Sequence, residues 1–432
     1  MRPPIYIAPS PIVEPDPEVI EEMMEDAQNA SDEIGFRTRR HYWRGIVWLL
    51  VALGVQFLAS LVPDVVEQFY SLVFYRFFVR ALAVPGKLLA GLALGEIFFL
   101  LLLVYFFGWA IWYLRRSLRR QARFFHVIKL FFLHVLWMFS FLFPIFLIVW
   151  GLNYQRMPLA ETLGLDRRPA ARTGELETIG LQLINGVNTN YERARDGKDW
   201  QGASPLPMSI PKLNQSIEAA FQAAQTLGTA SQGGFADPKP LQLSGIATLM
   251  GISGFYIAYT AEVVYNNQIP PVDLPVTIAH HKAHQRGYAR EDEANFIAFL
   301  VCEKANDPYV RYSAYMHALR VLEPMAKGDR TRYLDLFSRI NPGAQTDLRL
   351  RSDFWVGGKS AFLGPVSRRI FDMYLRANRV QGGVKSYDED IYLMTSYFLK
   401  TLNPSAPIEI TPQTPASPSP SPSPTVDLSE EP

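Results

Sequence analysis

Long runs of hydrophobic residues are concentrated in the first third of the chain. Three of these runs, at 45–62, 97–114 and 130–151, contain no Asp, Glu, Lys or Arg. Each run has the length that an α-helix needs to cross a lipid bilayer. The pattern therefore predicts a membrane domain at residues 43–151 that contains three transmembrane helices.

Charged residues next to these runs indicate how the membrane domain is oriented. Residues 66–82 mix apolar positions with Glu67, Arg76 and Arg80, which predicts a helix that lies in the membrane interface. Basic residues stay preferentially on the cytoplasmic side, and arginines cluster before the first run and between the second and third: Arg37, Arg39, Arg40, Arg44, Arg115, Arg116, Arg119, Arg120 and Arg123. An inner-membrane protein with its N-terminus inside would then place everything after residue 151 in the periplasm or extracellular space.

Residues 152–402 have the periodicity of a second, mostly helical domain. Apolar positions recur at helical spacing at 214–227, 276–286, 291–305, 311–325, 366–379 and 387–401. Strand signal is confined to Phe255–Tyr265, which is rich in β-branched and aromatic residues. This stretch is interpreted either as an edge strand that holds an extended substrate or as an ordinary hairpin or helix. The predicted fold class is mainly α with a small β element.

The two ends of the chain have a different composition from the rest. Residues 1–42 are rich in proline and then in acidic residues, and residues 403–432 are rich in proline and serine. Such segments cannot form a hydrophobic core, so both are predicted to be disordered tails. The formal net charge is +1, and no basic patch interleaved with aromatic residues predicts a nucleic-acid partner. Cys302 is the single cysteine, which excludes an intramolecular disulfide.

The segment between Leu274 and Phe296 carries the most specific chemical signal. His280 and His284 are four residues apart, so on a helix both imidazoles leave the same face, which suits two positions around one Zn²⁺ ion. Asp273 is predicted to cap this helix, Pro275 suits its first turn and Gly287 can end it. Two histidines at this spacing without further ligands are more often part of a solvated or internally satisfied helix face.

An acidic run seven residues after His284 supplies a third metal ligand. Glu291 is followed four residues later by Asn295, and zincins with a ligand on a second helix use this spacing, in which the second residue supports the first histidine. Glu293 is assigned to the outer surface or to another partner. The other zincin pattern, with a third histidine at position 290, is excluded by Arg290.

The residue next to the first histidine is unusual for a peptidase. The H-E-x-x-H motif places a glutamate general base there, whereas this chain has His281. Glu262 is a possible replacement if the fold turns it toward the metal. Arg311 and Tyr315, which follow the ligand helices, are candidate donors to an oxyanion, although such residues more often have packing and surface roles.

Several motifs in the same order resemble a known bacterial family over roughly Trp43 to Leu402. They are GISGFYIAYTAE (251–262), LPVTIAH, AHQRG, EDEANF, DPYVRYSAY (307–315) and VKSYDEDIYLMTSYF. They resemble domain-of-unknown-function family 3810, whose members are membrane proteins predicted to be zinc metallopeptidases. The resemblance implies that His280, His284 and Glu291 are zinc ligands. The family pattern has Glu where this chain has His281, so the departure affects the catalytic base and not a ligand.

These observations favour a membrane-anchored zinc-metallopeptidase-like protein with three spans and a zincin-like outer domain, weakened or inactive in catalysis. Its expected partners are the lipid bilayer and a peptide or protein substrate. The alternative is a non-catalytic binding or scaffolding protein of the bacterial envelope that zinc stabilises, and His281 favours it. A transporter would rest on the ionisable Glu96 and Lys129 alone, which can simply mark the membrane interface, and it fits the large outer domain least.

Overall fold

The computed structural model describes residues 43–89, 91–118, 124–167, 171–224, 227, 233 and 235–402. The two predicted tails, 1–42 and 403–432, lie outside these residues. Most of the described chain is helical, and it contains one small sheet. The predicted mainly α fold class with a small β element is therefore confirmed.

The N-terminal part of the described chain consists of long apolar helices. They are α1 (Trp43–Ala59), α2 (Pro63–Leu88), α3 (Leu94–Leu118) and α4 (Phe124–Val149). Within α3 and α4, segments of 22 residues each, Leu94–Arg115 and Ile128–Val149, are long and apolar enough to cross a membrane. The two helices pack through aromatic rings, and His134 of α4 stacks on Trp109 of α3 with the ring centroids 3.4 Å apart.

The first predicted span, 45–62, differs from the observed element. Helix α1 ends at Ala59, and the chain bends by 100° into α2. Val62 has a non-helical backbone conformation because the ring of Pro63 disfavours a helical residue before it. The structure thus has two helices that can span a membrane, or three if the bent pair α1–α2 is counted as one span.

Helix α2, which contains the segment predicted to lie in the membrane interface, has two unlike faces. Tyr75, Val79 and Ala83 are buried, whereas Phe77 and Leu88 are 71% and 81% exposed. The buried side chains pack with the C-terminal end of α4 and with residues after 250. The amphipathic character expected from the sequence is present, and the protein itself covers one face of the helix.

The helices after residue 151 are α5 (Leu159–Leu163), α6 (Thr173–Arg195), α7 (Ile210–Ala223), α8 (Ser244–Met250), α9 (Leu274–Gln285), α10 (Glu291–Glu303), α11 (Pro308–Ala318), α12 (Glu323–Gly328), α13 (Arg330–Ser338), α14 (Pro342–Gly357), α15 (Leu363–Ala377) and α16 (Asp390–Leu402). Helices α9 and α10 pack against each other at the centre of the chain after residue 151. Almost every residue of α9 and α10 is buried. A helix that is covered all round forms the centre of a domain core.

Most predicted helical stretches coincide with observed helices. Stretches 276–286 and 291–305 match α9 and α10 within a few residues. The predicted helical stretch at 311–325 is helical throughout, but a 3₁₀ turn at Leu319–Leu322 divides it into the end of α11 and the start of α12.

The predicted strand stretch at 255–265 forms a hairpin. Its strands are β2 (Gly254–Ile257) and β3 (Glu262–Tyr265), and the short strand β1 (Lys239–Pro240) completes the sheet. Strand β3 is central, pairing parallel with β1 and antiparallel with β2, so that Gly254 lies opposite Tyr265. Strand β2 is therefore at an edge of the sheet, and its Gly254 lies beside His281 of α9.

Buried ionic contacts join the apolar N-terminal helices to the rest of the chain. Arg156 pairs with Glu67 of α2 at 2.6 Å. Lys239 of β1 pairs with Glu262 of β3 at 2.7 Å and also donates to the carbonyl of Gly86 at 2.8 Å. Because these groups have little exposure, the contacts fix the sheet and α9 relative to α2 and α3. The division into domains at residues 43–151 and 152–402 stays a prediction.

Candidate metal centre

Helix α9 positions the two predicted histidine ligands, and its ends explain why. Pro275 lies in the first turn, where its missing amide hydrogen leaves no hydrogen bond unmade. Gly287 has a φ of 87° after the last turn, as predicted. The predicted cap is wrong, because the Asp273 side chain makes no cap hydrogen bond. Its carboxylate instead pairs with Arg351 at 2.8 Å and accepts from Trp355 at 3.0 Å.

Tyr75 of α2 and Trp150, which directly follows α4, hold the C-terminal end of α9. The last carbonyl groups of a helix have no partner within the helix. Here Trp150 Nε1 donates to the carbonyl of His284 at 3.1 Å, and the Tyr75 hydroxyl donates to the carbonyl of Gln285 at 2.8 Å. The last turn of α9, which carries His284, is therefore fixed against α2 and the end of α4.

Three side-chain atoms from α9 and α10 meet in a compact triangle. His280 Nε2 and His284 Nε2 are 3.1 Å apart, and Glu291 Oε2 lies 3.1 Å from the first and 3.3 Å from the second. All three residues are buried. The structure thus brings the predicted ligands together although they come from two helices.

Hydrogen bonds and charges around this triangle set the protonation of its members. His284 Nδ1 is 2.7 Å from the carbonyl of Tyr288, an acceptor that requires the proton on Nδ1 and leaves the Nε2 lone pair free. Burial lowers the pKa of His280. Glu291 and a hydrogen bond with Asn295 act to raise this pKa, but burial has the larger effect. Burial raises the pKa of Glu291, but the neighbouring His284 and His280 rings together hold it well below its usual range. The contact with Asn295 is the one expected of a residue that supports the first histidine.

His281 is buried beside the triangle. Among the described residues, the ligand atoms of His280, His281 and His284 all lie within 4.8 Å of one another. Neither ring nitrogen of His281 has a hydrogen-bond partner in the described part of the chain. Burial, followed by the other two histidines, holds the pKa of His281 well below its ordinary value. The ring also borders Gly254 of β2, where a Cβ atom would lie 2.8 Å from His281 Nε2.

Comparison with known proteins gives one match. The chain matches the family described as protein of unknown function (DUF3810) over residues 70–395. The chain belongs to the DUF3810 family. No curated protein and no solved structure matches it.

The other acidic residues of this DUF3810 protein's acidic run have partners of their own. Glu293 accepts from the amide of Leu159 at 2.8 Å and pairs with Arg290 at 3.0 Å. It is 1% exposed, so its predicted place on the outer surface is wrong, whereas the alternative assignment to another partner is right. Asp292 pairs with Arg167. Glu291 is thus the carboxylate of this run that pairs with His280 and His284.

Arg311 and Tyr315 are held by contacts elsewhere in the DUF3810 protein. Arg311 donates to the side chain of Asn190 at 2.8 Å and to the carbonyl of Ala305 at 2.6 Å. The Tyr315 ring packs over Gly186 of α6, where a Cβ atom would overlap it. None of these contacts includes the histidines, and they account for both side chains as packing residues between α6 and α11.

Glu262, considered above as a replacement base, makes its hydrogen bonds where the sheet meets the apolar helices α2 and α3. Its Oε1 accepts from Lys239 at 2.7 Å, and its Oε2 accepts from the amide of Gly95 at 2.8 Å. Both carboxylate oxygens are therefore occupied by Lys239 and Gly95. The condition under which Glu262 could replace the missing base, that the fold turns it toward the metal, is not met.

Sequence reasoning missed the aromatic residues around the DUF3810 site. The Trp150 ring lies edge-on to His284 with the centroids 6.0 Å apart. The Tyr154 hydroxyl donates to the Tyr374 hydroxyl at 3.3 Å. Burial raises the pKa of Tyr374, and the charge of Glu291 adds to this rise, so Tyr374 is a neutral phenol within the electric field of the site. These residues come from distant parts of the sequence, and no local spacing indicates them.

A second buried charge cluster supports α9 on its other side. Glu218 of α7 pairs with Lys282 at 2.6 Å and with Arg286 at 2.8 Å, and both cations are almost fully buried. Burial raises the pKa of Glu218, but Lys282 and Arg286 together lower it to about 2. The three charges therefore bind α9 to α7 and fix the rotation of the helix that presents the histidines.

Proposed function

We propose that this protein is a membrane-anchored, zinc-metallopeptidase-like protein in which His280, His284 and Glu291 bind one Zn²⁺ ion. The triangle of ligand atoms, with edges of 3.1, 3.1 and 3.3 Å, carries the proposal. Ligands about 2.0–2.1 Å from a tetrahedral zinc ion lie about 3.3–3.4 Å apart. The three side chains thus have nearly the spacing that zinc requires.

The kind of donor supports zinc and an open position. Two neutral imidazoles and one carboxylate form the set that catalytic zinc sites use, with the fourth position free. Magnesium and calcium prefer sites made of oxygen ligands. The Nδ1 bond of His284 and the contact with Asn295 are the outer contacts that orient such ligands.

The proposed site lacks the carboxylate that makes a zincin an efficient peptidase. Bound zinc would supply a Lewis acid that polarises a carbonyl group and lowers the pKa of water. His281 stands where the general base is needed, and it is an uncharged ring without a hydrogen-bond partner among the described residues. We therefore expect slow hydrolysis or none. If a peptide binds, the edge strand β2 next to His281 is the place where it can pair with main-chain groups.

The second candidate function is a non-catalytic envelope protein in which zinc stabilises the packing of α9 against α10. The identity of residue 281 favours it. Both candidates require the same ligands, and they differ in whether a zinc-loaded protein cleaves peptides. The zincin-like fold belongs to the first candidate and is part of the proposal.

The metal content of purified full-length protein tests the proposal. We expect about one zinc per chain by mass spectrometry of the metal, in line with a single tetrahedral site, and loss of most of it on His280→Ala or His284→Ala. His317→Ala is the matched control, because His317 is a half-buried histidine on α11 whose ring lies 3.5 Å from Asp390. Equal loss of zinc from the His317 variant would show that unfolding, and not ligand removal, causes the effect.

We further propose that the site faces the outside of a bacterial inner membrane, as the arginine distribution indicates. An alkaline phosphatase fused after Leu402 is expected to be active, since that enzyme folds only outside the cytoplasm. A fusion after Leu118, at the end of α3, is the control and is expected to be inactive. The opposite pair of activities would reverse the orientation and place the site in the cytoplasm.

A further inference from the structure

We propose that helices α8 and α15 bind the surface of the lipid bilayer, with their exposed apolar side chains inserted among the acyl chains. The proposal concerns the domain after residue 151, where the hydrophobic pattern predicts no membrane segment. It does not depend on the metal site.

Helix α15 has an apolar face that the protein leaves uncovered. Val366, Ile370 and Met373 are 41%, 57% and 57% exposed, and their spacing of four and three places them in one stripe. Phe362, just before the helix, continues the stripe and is 73% exposed. Leu375, on the opposite side, is completely buried in the core. The helix thus has one apolar face toward the protein and a second that points away from it.

Helix α8 extends this surface. Leu243, Ile246 and Leu249 are 59%, 49% and 43% exposed. The amide of Ser360, which leads into α15, donates to the carbonyl of Leu249 at 2.9 Å. The exposed apolar residues of α8 and those of α15 are therefore neighbours. Together they form a continuous apolar patch, whereas exposed apolar residues on a soluble protein are usually scattered singly.

The position of the patch indicates what covers it. At one end, Gln56 of α1 donates to the carbonyl of Ala377 at 3.3 Å, and Arg379 donates to Ser60 at 2.8 Å. At the other end, Glu96 of α3 accepts from the amide of Gln242 at 3.0 Å.

The patch therefore runs between the residues where α1 ends and those where α3 begins. Helices α3 and α4 can each cross a membrane, so the start of α3 and the end of α4 lie at the same face of it. Phe146, near the end of α4, contacts Tyr374 of α15 with the ring centroids 6.1 Å apart. The patch, which lies between these two points, is therefore at the level of the lipid headgroups.

The charges along α15 agree with a lipid partner. Lys359, Arg368 and Arg369 are exposed, and cations beside an apolar stripe place their charges among headgroup phosphates while their aliphatic parts stay in the apolar region. Anionic lipids increase such binding. If a second copy of the protein covered the patch instead, nothing would require the patch to end at the apolar N-terminal helices.

Fluorescent labelling of single cysteines tests the proposal in the full-length protein. Cys302 is completely buried, so it does not react with an added dye. An environment-sensitive dye therefore labels only the new, exposed cysteine of the Ile370→Cys or the Ile246→Cys variant. The labelled protein is placed in vesicles of phosphatidylcholine and phosphatidylglycerol, with or without bromine on the acyl chains. We expect blue-shifted emission at both positions and loss of intensity with the brominated lipids.

Leu334→Cys is the matched control, because Leu334 is 52% exposed on α13, a helix outside the patch. Its dye is expected to emit as in water and to be indifferent to bromine. Bromine quenching at Ile370 and Ile246 no stronger than at Leu334 would overturn the proposal. A blue shift without bromine quenching would also overturn it, since it would show that protein and not lipid covers the patch.

Discussion

Replacing His281 with glutamate is expected to raise the chelator-sensitive peptidase activity of the zinc-loaded protein by about 10²–10⁴-fold, the usual contribution of general acid–base catalysis. The substitution puts a carboxylate where the H-E-x-x-H motif has its base. The neutral imidazole of His281 is a poor substitute, because a nearby Zn²⁺ ion further lowers its affinity for a proton. The ligands His280, His284 and Glu291 stay in place.

The assay compares unaltered protein, His281→Glu and His281→Gln on a mixed peptide library. His281→Gln is the control for shape, since its amide cannot act as a base at neutral pH. Both variants should retain zinc. Strong, chelator-sensitive cleavage by the unaltered protein that falls on His281→Glu would show that His281 is a working base and that the protein is an active peptidase.

Replacing Glu218 with glutamine is expected to lower the free energy of unfolding by about 3–5 kcal/mol, the usual cost of removing one partner from a buried ion pair. The neutral amide would leave Lys282 and Arg286 buried without a counter-charge. Because Lys282 lies on α9 and Arg286 directly follows it, we also expect weaker zinc binding. Denaturant unfolding of the full-length protein in detergent measures the effect.

Asp335→Asn is the control, because Asp335 pairs with Arg339 at 2.7 Å on an exposed surface, where a pair contributes about 0–1 kcal/mol. The pH dependence gives a second test. The pKa of Glu218 is about 2 in the folded protein and lies below its ordinary value of 4.5. Its contribution to stability is therefore complete above pH 4.5 and is lost as the pH falls toward 2. Equal stability losses in the two variants would contradict the role of this cluster.

Local spacing was sufficient to predict the centre of the site. Two histidines four residues apart must share a face of a helix, and the acidic run so soon after Gly287 predicts that α10 folds back on α9. The convergence of His280, His284 and Glu291 within 3.3 Å follows from these two features. Helix existence was likewise visible in the periodicity of α9 and α10.

Roles that depend on distant partners could not be predicted from spacing. Asp273 has a favourable position for a cap, but Arg351 and Trp355, about 80 residues later, bind its carboxylate. Glu293 is a charged residue and is nevertheless buried, because the amide of Leu159 and the guanidinium of Arg290 bind its carboxylate. Tyr374 is near the site only because α15 packs there. The apolar run at 45–62 does not itself show that α1 ends at Ala59.

The central claim is that His280, His284 and Glu291 are the ligands of the proposed zinc ion, and the competing ligand is His281, which lies close to His280 and His284. The most direct measurement is the zinc content of Glu291→Ala and His281→Ala, purified in parallel with the unaltered protein. We predict that Glu291→Ala loses most of its zinc and that His281→Ala retains it. Retention by Glu291→Ala together with loss by His281→Ala would show a three-histidine site and would contradict the proposed ligand set.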